Sequence, residues 1–271
     1  MAALGLPIAL ALGVLADLAG GLASRIFAGK RGWWRTGLLD EARRLGRTRS
    51  RRARPSPVEA LGAVAAAGGG GLAAAAALGF VPGSAALVYL SLALGLVGLR
   101  LADPMGSAAR EEEAASNRRL AALAEPALVM SLGALLLRWG AFDLDAVRAT
   151  QTVLGPGVAV GPTAAGVAVG LAGVAAVASG ALRLGPAPEP STRREGQSRG
   201  AGTRLLGLLG RWAVAGGTSL VVAALVAGHR LDASADALPF AGAILVAAVL
   251  TGIGSSMFGR LSARWRTAAA G

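Results

Sequence analysis

Cysteine is absent from this chain. Its absence excludes disulfides, thiolate zinc sites and iron–sulfur ligation by the chain's own residues. The single histidine, His229, leaves little imidazole for metal chemistry and reads as a surface residue. Acids are scarce, with 15 Asp and Glu against 27 Lys and Arg, a net charge of +12. No P-loop, HExxH or GxSxG elbow with a triad is present, and the glycine runs are Ala/Gly helix texture rather than phosphate cradles. Nothing here marks a self-contained catalyst, so any redox centre is expected in another subunit.

What is abundant is apolar. The chain is 54% hydrophobic and only 15% charged, an apolar body with a basic surface. A polytopic membrane protein combines the two routinely, because its spans are apolar and its cytoplasmic loops are basic. Windows of about 20 apolar residues predict about seven spans. They run from Ala3 to Phe27, Glu59 to Phe80, Ser84 to Ala102, Leu120 to Trp139, Val158 to Leu182, Leu205 to Ala227 and Ala237 to Phe258. A short extra span near Leu154 to Thr163 would make eight. The first apolar stretch is expected to be a span rather than a secretory signal, since its positive charges follow it. The expected fold is therefore all-α: one integral membrane domain over residues 1–271, a bundle of transmembrane helices.

The loops give an independent reading. With the amino terminus outside, the internal side holds every basic residue except Arg138, Arg148 and Arg230, as the positive-inside rule requires. This places the chain in the cell (inner) membrane, multi-pass, with basic loops at about 28–58, 103–119 and 183–204 in the cytoplasm. The second span, "EALGAVAAAGGGGLAAAAALGF", is built almost wholly from Ala and Gly. Each interior Gly costs roughly 1 kcal/mol of helix stability, whereas small residues let neighbouring backbones approach closely. It reads as an inner helix of the bundle, although compositional drift would give the same texture.

In the first basic loop, Leu38, Ala42 and Leu45 fall at i, i+4 and i+7 among Asp40, Glu41, Arg43, Arg44 and Arg47, after the Trp33–Trp34 pair. That pattern predicts an amphipathic helix on the internal membrane surface. The "RTRSRRARP" tail has the composition of a nucleic-acid patch, but in a membrane protein it reads as loop retention by charge and anionic lipid, with no nucleic-acid partner.

Of the acids, only Asp17 and Glu125 fall well inside apolar spans. Ionisable groups there cost about 2.5–3.5 kcal/mol on insertion scales and commonly mark proton or ion routes. Pro126 follows Glu125; its missing N–H frees a carbonyl one turn earlier and opens a polar spot beside the carboxylate. Both acids are candidate proton-transfer sites, the alternative for Glu125 being a side chain that snorkels from the internal end of its span.

The stretch "ASNRRLAALAEPALVMSLGALLL" resembles a known family: the membrane subunit of respiratory complex I called subunit 1 or H, and its counterpart in membrane-bound nickel–iron hydrogenases and formate hydrogenlyase (subunit 4). Ser116, Asn117 and Arg118 look like the complex I version, and Leu123 to Ala127 like the hydrogenase version. A second patch, "RLGPAPEPSTRREGQ", is similar to an internal loop of that family, with Arg183, Pro186, Pro190, Thr192 and Glu195 on the pattern and Glu189 one place late. Lys30, Arg31, Gly32, Asp40 and Arg43 match a third patch loosely. Gly-Trp stands at Gly32–Trp33 where the family has Gly-Pro, and the family's Glu before Arg183 is missing.

The resemblance implies a non-catalytic membrane-anchoring and coupling subunit of a hydrogenase or complex I-like NADH-dehydrogenase-type oxidoreductase. Such a subunit binds no cofactor or metal itself; nickel–iron and iron–sulfur centres sit in partner subunits. Expected partners are the lipid bilayer, peripheral hydrogenase or dehydrogenase subunits, antiporter-like membrane subunits and, on the complex I branch, a quinone. Glu125, Asp17 and Glu195 are then candidates for proton transfer and coupling. Arg31, Arg43, Ser116, Asn117, Arg183, Glu189 and Thr192 are candidates for docking. The competing readings are a stand-alone membrane transporter or permease and a structural membrane protein that recruits acidic partners.

Overall fold

A computed structural model describes residues 2–27, 57–102, 143–146, 149, 201–227, 241–242 and 244–254. Within them the chain is all-helical. One 3₁₀ turn, Ala2–Leu4, leads into α1 (Gly5–Phe27); α2 (Pro57–Ala77), α3 (Ala85–Ala102) and α4 (Ala201–Ala227) follow. A shorter apolar helix, α5, covers Ile244–Gly254. Four expected spans correspond to α1 through α4 with ends shifted by a few residues, and α5 lies inside a fifth. The expected spans Leu120 to Trp139 and Val158 to Leu182, the surface helix around Leu38 to Leu45 and the extra segment at Leu154 lie outside the described residues.

Local sequence accounts for the helix ends. Pro57 opens α2, where a missing N–H costs nothing, and Glu59 adds a carboxylate to its first turn. The far end of α2 closes in a Schellman turn: Phe80 N–H donates to the Ala75 carbonyl at 2.8 Å and Gly79 N–H to that of Ala76 at 3.1 Å. Gly79 supplies the left-handed residue, at φ 77°. Ser84 then caps α3, its Oγ accepting from Leu87 N–H at 3.2 Å.

Packing fixes the helix directions. Gly62 of α2 lies against Ala102 and Gly98 of α3, while Gly69 meets Ser91 and Gly95, so α2 and α3 run antiparallel. Gly210 of α4 meets Ala63 and Ala66 of α2, and Gly70 meets Ala213, so α2 and α4 run parallel. Ala9 of α1 faces Gly216 and Gly13 faces Trp212, which makes α1 antiparallel to α4. Phe27, Pro57, Ala102 and Ala201 therefore gather at one end of the bundle. The basic segments that join these helices all attach there, which makes it the basic end of the bundle. Gly5, Ala77, Ala85 and Ala227 lie at the other end. There Asp143 pairs with Ser84 in a single antiparallel bridge, and Leu144 N–H donates to the Gly83 carbonyl at 2.8 Å.

Small side chains fill much of the interior, beside Leu92, Val214, Leu220 and Val221. Ala66, Ala73, Ala74, Ala213, Ala215 and Ser219 are buried, and α2 buries eleven residues that are all Ala or Gly. This supports its reading as an inner helix. Many other large apolar residues face outward: Leu61 and Val64 on α2, Leu90, Leu94 and Val97 on α3, Leu245 and Leu250 on α5. In water such a surface would be a liability. In lipid, where tails are as apolar as leucine, helices associate through close small-residue contacts and leave large side chains to the bilayer. Gly5–Ala23, Pro57–Ala77 and Leu205–Ala224, of 19, 21 and 20 residues, are long and apolar enough to cross a membrane.

Candidate functional site

Asp17 lies about 18 Å along α1 from Gly5, roughly halfway down the helix. Its neighbours on α1 are small where other helices close in. A methyl group on Gly13, one turn earlier, would overlap the Trp212 backbone of α4, and one on Gly216 would overlap the Ala9 carbonyl. With no side chain at these positions, α1 and α4 approach until Trp212 is within reach of Asp17. The indole Nε1–H of Trp212 donates to Asp17 Oδ2 at 3.2 Å. On its other flank, Ala16 and Gly20 of α1 rest against Gly252 of α5, so the turn carrying Asp17 is held between two helices.

Chemically the pair is asymmetric. An indole nitrogen is a donor only, whereas a carboxyl group accepts hydrogen bonds and can take up or release a proton. Proton exchange in this contact therefore belongs to Asp17, and Trp212 orients the carboxyl. Trp212 was not among the residues expected to act. Its signal in the sequence is an arginine–tryptophan pair inside an apolar run, "LLGRWAVAGG", which reads equally well as an interfacial anchor.

The buried hydroxyls are satisfied within their own helices. Ser91 Oγ donates to the Leu87 carbonyl at 2.6 Å, Thr218 Oγ1 to that of Val214 at 2.8 Å and Thr251 Oγ1 to that of Ala247 at 2.8 Å. Ser219 has two acceptors in range, the Ala215 carbonyl at 2.8 Å and Thr251 Oγ1 at 3.2 Å, the latter a polar tie from α4 to α5. These groups fasten the bundle and offer no reactive centre. Among the described residues, no group of three or more His, Asp or Glu could hold a metal ion.

Of the residues proposed from the sequence, Asp17 alone falls among those described. Glu125, Glu195, Arg31, Arg43, Ser116, Asn117, Arg183, Glu189 and Thr192 lie outside them. One boundary moves: α4 begins at Ala201, so Arg204 belongs to a helix rather than to the preceding loop, and Arg211 lies within the apolar stretch Leu205–Ala224.

No protein-family model matches the chain, and no curated protein matches it either.

Proposed function

We propose that this chain is the membrane-anchoring and coupling subunit of a hydrogenase- or complex I-like oxidoreductase, spanning the cell membrane seven times with its basic loops in the cytoplasm. The observation that carries this reading is the gathering of four helix ends, at Phe27, Pro57, Ala102 and Ala201, at one end of the bundle. The segments that leave this end contain the three patches that resemble the family, and in the family those patches face the peripheral electron-transfer module.

Parity of crossings supports seven spans over eight. Ala102 is at the basic end and Asp143 at the other, which fits one crossing between them, by Leu120 to Trp139. Ala149 follows Asp143 closely and Ala201 is back at the basic end, which fits one further crossing, by Val158 to Leu182. A second complete crossing in that interval would bring the chain out at the wrong end.

In this reading the chain carries no redox centre. It holds the soluble module on Arg31, Arg43, Ser116, Asn117, Arg183, Glu189 and Thr192. Glu125 and Asp17, with Glu195 in the docking loop, pass protons between that module and antiporter-like subunits. Asp17 contributes a carboxyl positioned by Trp212 at the α1–α4 contact.

The deciding experiment is mild-detergent purification of the tagged chain from its native membrane, with mass spectrometry of the associated proteins and iron and nickel assays. Cysteine-rich metalloproteins should accompany it: nickel marks the hydrogenase branch, and iron without nickel the complex I branch. A metal-free chain, alone or self-associated, overturns the proposal and leaves a transporter as the better account.

A further inference from the structure

We propose that the outward side of the α2–α3 pair binds the same side of a second copy of this chain, with Gly68 of each copy receiving Leu94 of the other. The inference rests on the membrane-spanning part of the reading above and is independent of the oxidoreductase assignment.

The two helices are covered on one side only. On α2, Gly62 and Gly69 face α3, while Ala63, Ala66 and Gly70 face α4. On α3, Gly95 and Gly98 face α2, and Gly95 and Leu99 reach α4. Val64, Gly68 and Leu72 fall on the remaining arc of α2, and Leu90, Leu94 and Val97 on that of α3, all turned away from α4. Exposure agrees, since Val64 is 64% and Leu90 61% exposed. Side by side the two helices offer a face about 20 Å wide and about 27 Å tall. Ridged helices carry more accessible surface than their flat outline, so this face suffices for the roughly 800 Å² that each partner of a stable pair buries.

Lipid tails are as apolar as leucine, so exposure alone gives two copies no reason to associate; fit does. Gly62 lies opposite Gly98 and Ala102, and Gly69 opposite Ser91 and Gly95, so each step up α2 matches an equal step down α3. Val64 therefore stands level with Val97, Gly68 with Leu94 and Leu72 with Leu90. Copies inserted the same way round are related by a two-fold axis along the membrane normal, which keeps every residue at its depth. With that axis through the middle of the face, α2 of one copy meets α3 of the other at those same levels. Of the three α2 positions, Gly68 alone lacks a side chain, and nothing lies within 4 Å of a methyl group placed there. The level that offers this hole supplies Leu94 of the second copy as the knob. Each copy brings one hole and one knob, so the contact closes on itself in a pair.

The test uses the full chain in its membrane. Copies carrying Gly68→Cys and copies carrying Leu94→Cys, with different tags, are expressed together; with no native cysteine, any disulfide between the tags joins these two positions or two copies of one. A mild oxidant should join the two tags roughly tenfold faster than it joins copies carrying Leu245→Cys, which is also exposed but lies on α5. In lipid vesicles Gly68→Leu should weaken pairing of labelled chains roughly tenfold, read by energy transfer, and leave the single chain folded, since no atom of its own copy is near. Adding Leu94→Ala to that variant moves the knob to the other helix and should restore most of the pairing. Joining of the tags no faster than at Leu245, or pairing indifferent to Gly68→Leu, overturns the proposal. If Gly68→Leu fails to fold, the cysteine rates decide. Metalloproteins that accompany the chain bear on its assignment and not on this contact, which is read between the two tags.

Discussion

Trp212 donates its indole N–H to the carboxylate of Asp17 across 3.2 Å, joining two antiparallel helices through residues 195 positions apart in sequence. The tie depends on a glycine on each helix: Gly13 beneath Trp212 and Gly216 beneath Ala9 set how near the helices come. Several outcomes can be read from this arrangement.

Trp212→Phe removes the donor and keeps an aromatic ring. Hydrogen bonds between membrane helices are worth about 0.6 kcal/mol on average and at most about 1.7. The variant should lose stability in that range in a denaturant titration in micelles. Asp17→Asn keeps an acceptor for the indole and should lose less than Asp17→Leu. A double-mutant cycle between positions 17 and 212 that gives no coupling would remove the contact from the account.

Gly13→Val should be much worse than Gly68→Val. A side chain at Gly13 meets the Trp212 backbone, whereas nothing lies within 4 Å of a methyl on Gly68. Overpacking of a close contact costs about 1–3 kcal/mol or more, so Gly13→Val should lower the thermal midpoint or the folded yield sharply. At Gly68 the smaller change Gly68→Ala should hold or gain stability, since Ala is the better helix former by roughly 1 kcal/mol.

The absence of native cysteine makes the topology directly testable. Ser50→Cys lies in a segment attached to the basic end, and Ala146→Cys lies three residues after Asp143, which pairs with Ser84 at the opposite end. In oriented vesicles an impermeant maleimide should label the first from the cytoplasmic side and the second from the outside. Labelling of both from one side contradicts the arrangement of helix ends.

If the chain is the coupling subunit proposed above, Glu125→Gln should leave subunit association intact and reduce proton uptake per electron transferred. Unchanged proton uptake with unchanged electron transfer takes the coupling role away from Glu125.

The described helices were legible in the sequence because their apolar runs are long, whereas the window for the second span, Glu59 to Phe80, passed over the Pro57 start and the Gly79 stop. The α4 boundary was less so. Arg204 falls at the end of the expected loop 183–204, yet the helix already begins at Ala201, since a charged residue is tolerated in the first turn of a span. Trp212 was missed for a related reason. A tryptophan beside an arginine is a common interfacial pattern, and only the packing of α1 against α4 turns its indole into a partner for Asp17. Asp17 itself was visible as an acid within an apolar run, but nothing local identified the helix it would meet. The small residues predicted close packing for α2 without specifying which neighbours it would touch.

The turn between α2 and α3 bears on how the protein enters its membrane. Only the residues from Leu78 to Ser84 separate the two helices, closed at one side by Gly79 and at the other by the Ser84 cap. An α2 composed largely of Ala and Gly gains little from lipid by itself. Tethered so tightly to the leucine-rich α3, it can leave the insertion machinery as half of a helical hairpin, with its glycines already against Ser91, Gly95 and Gly98. Loosening the Gly79 turn should then show itself first during biosynthesis, as α2 failing to stay in the bilayer, before any change in the mature protein.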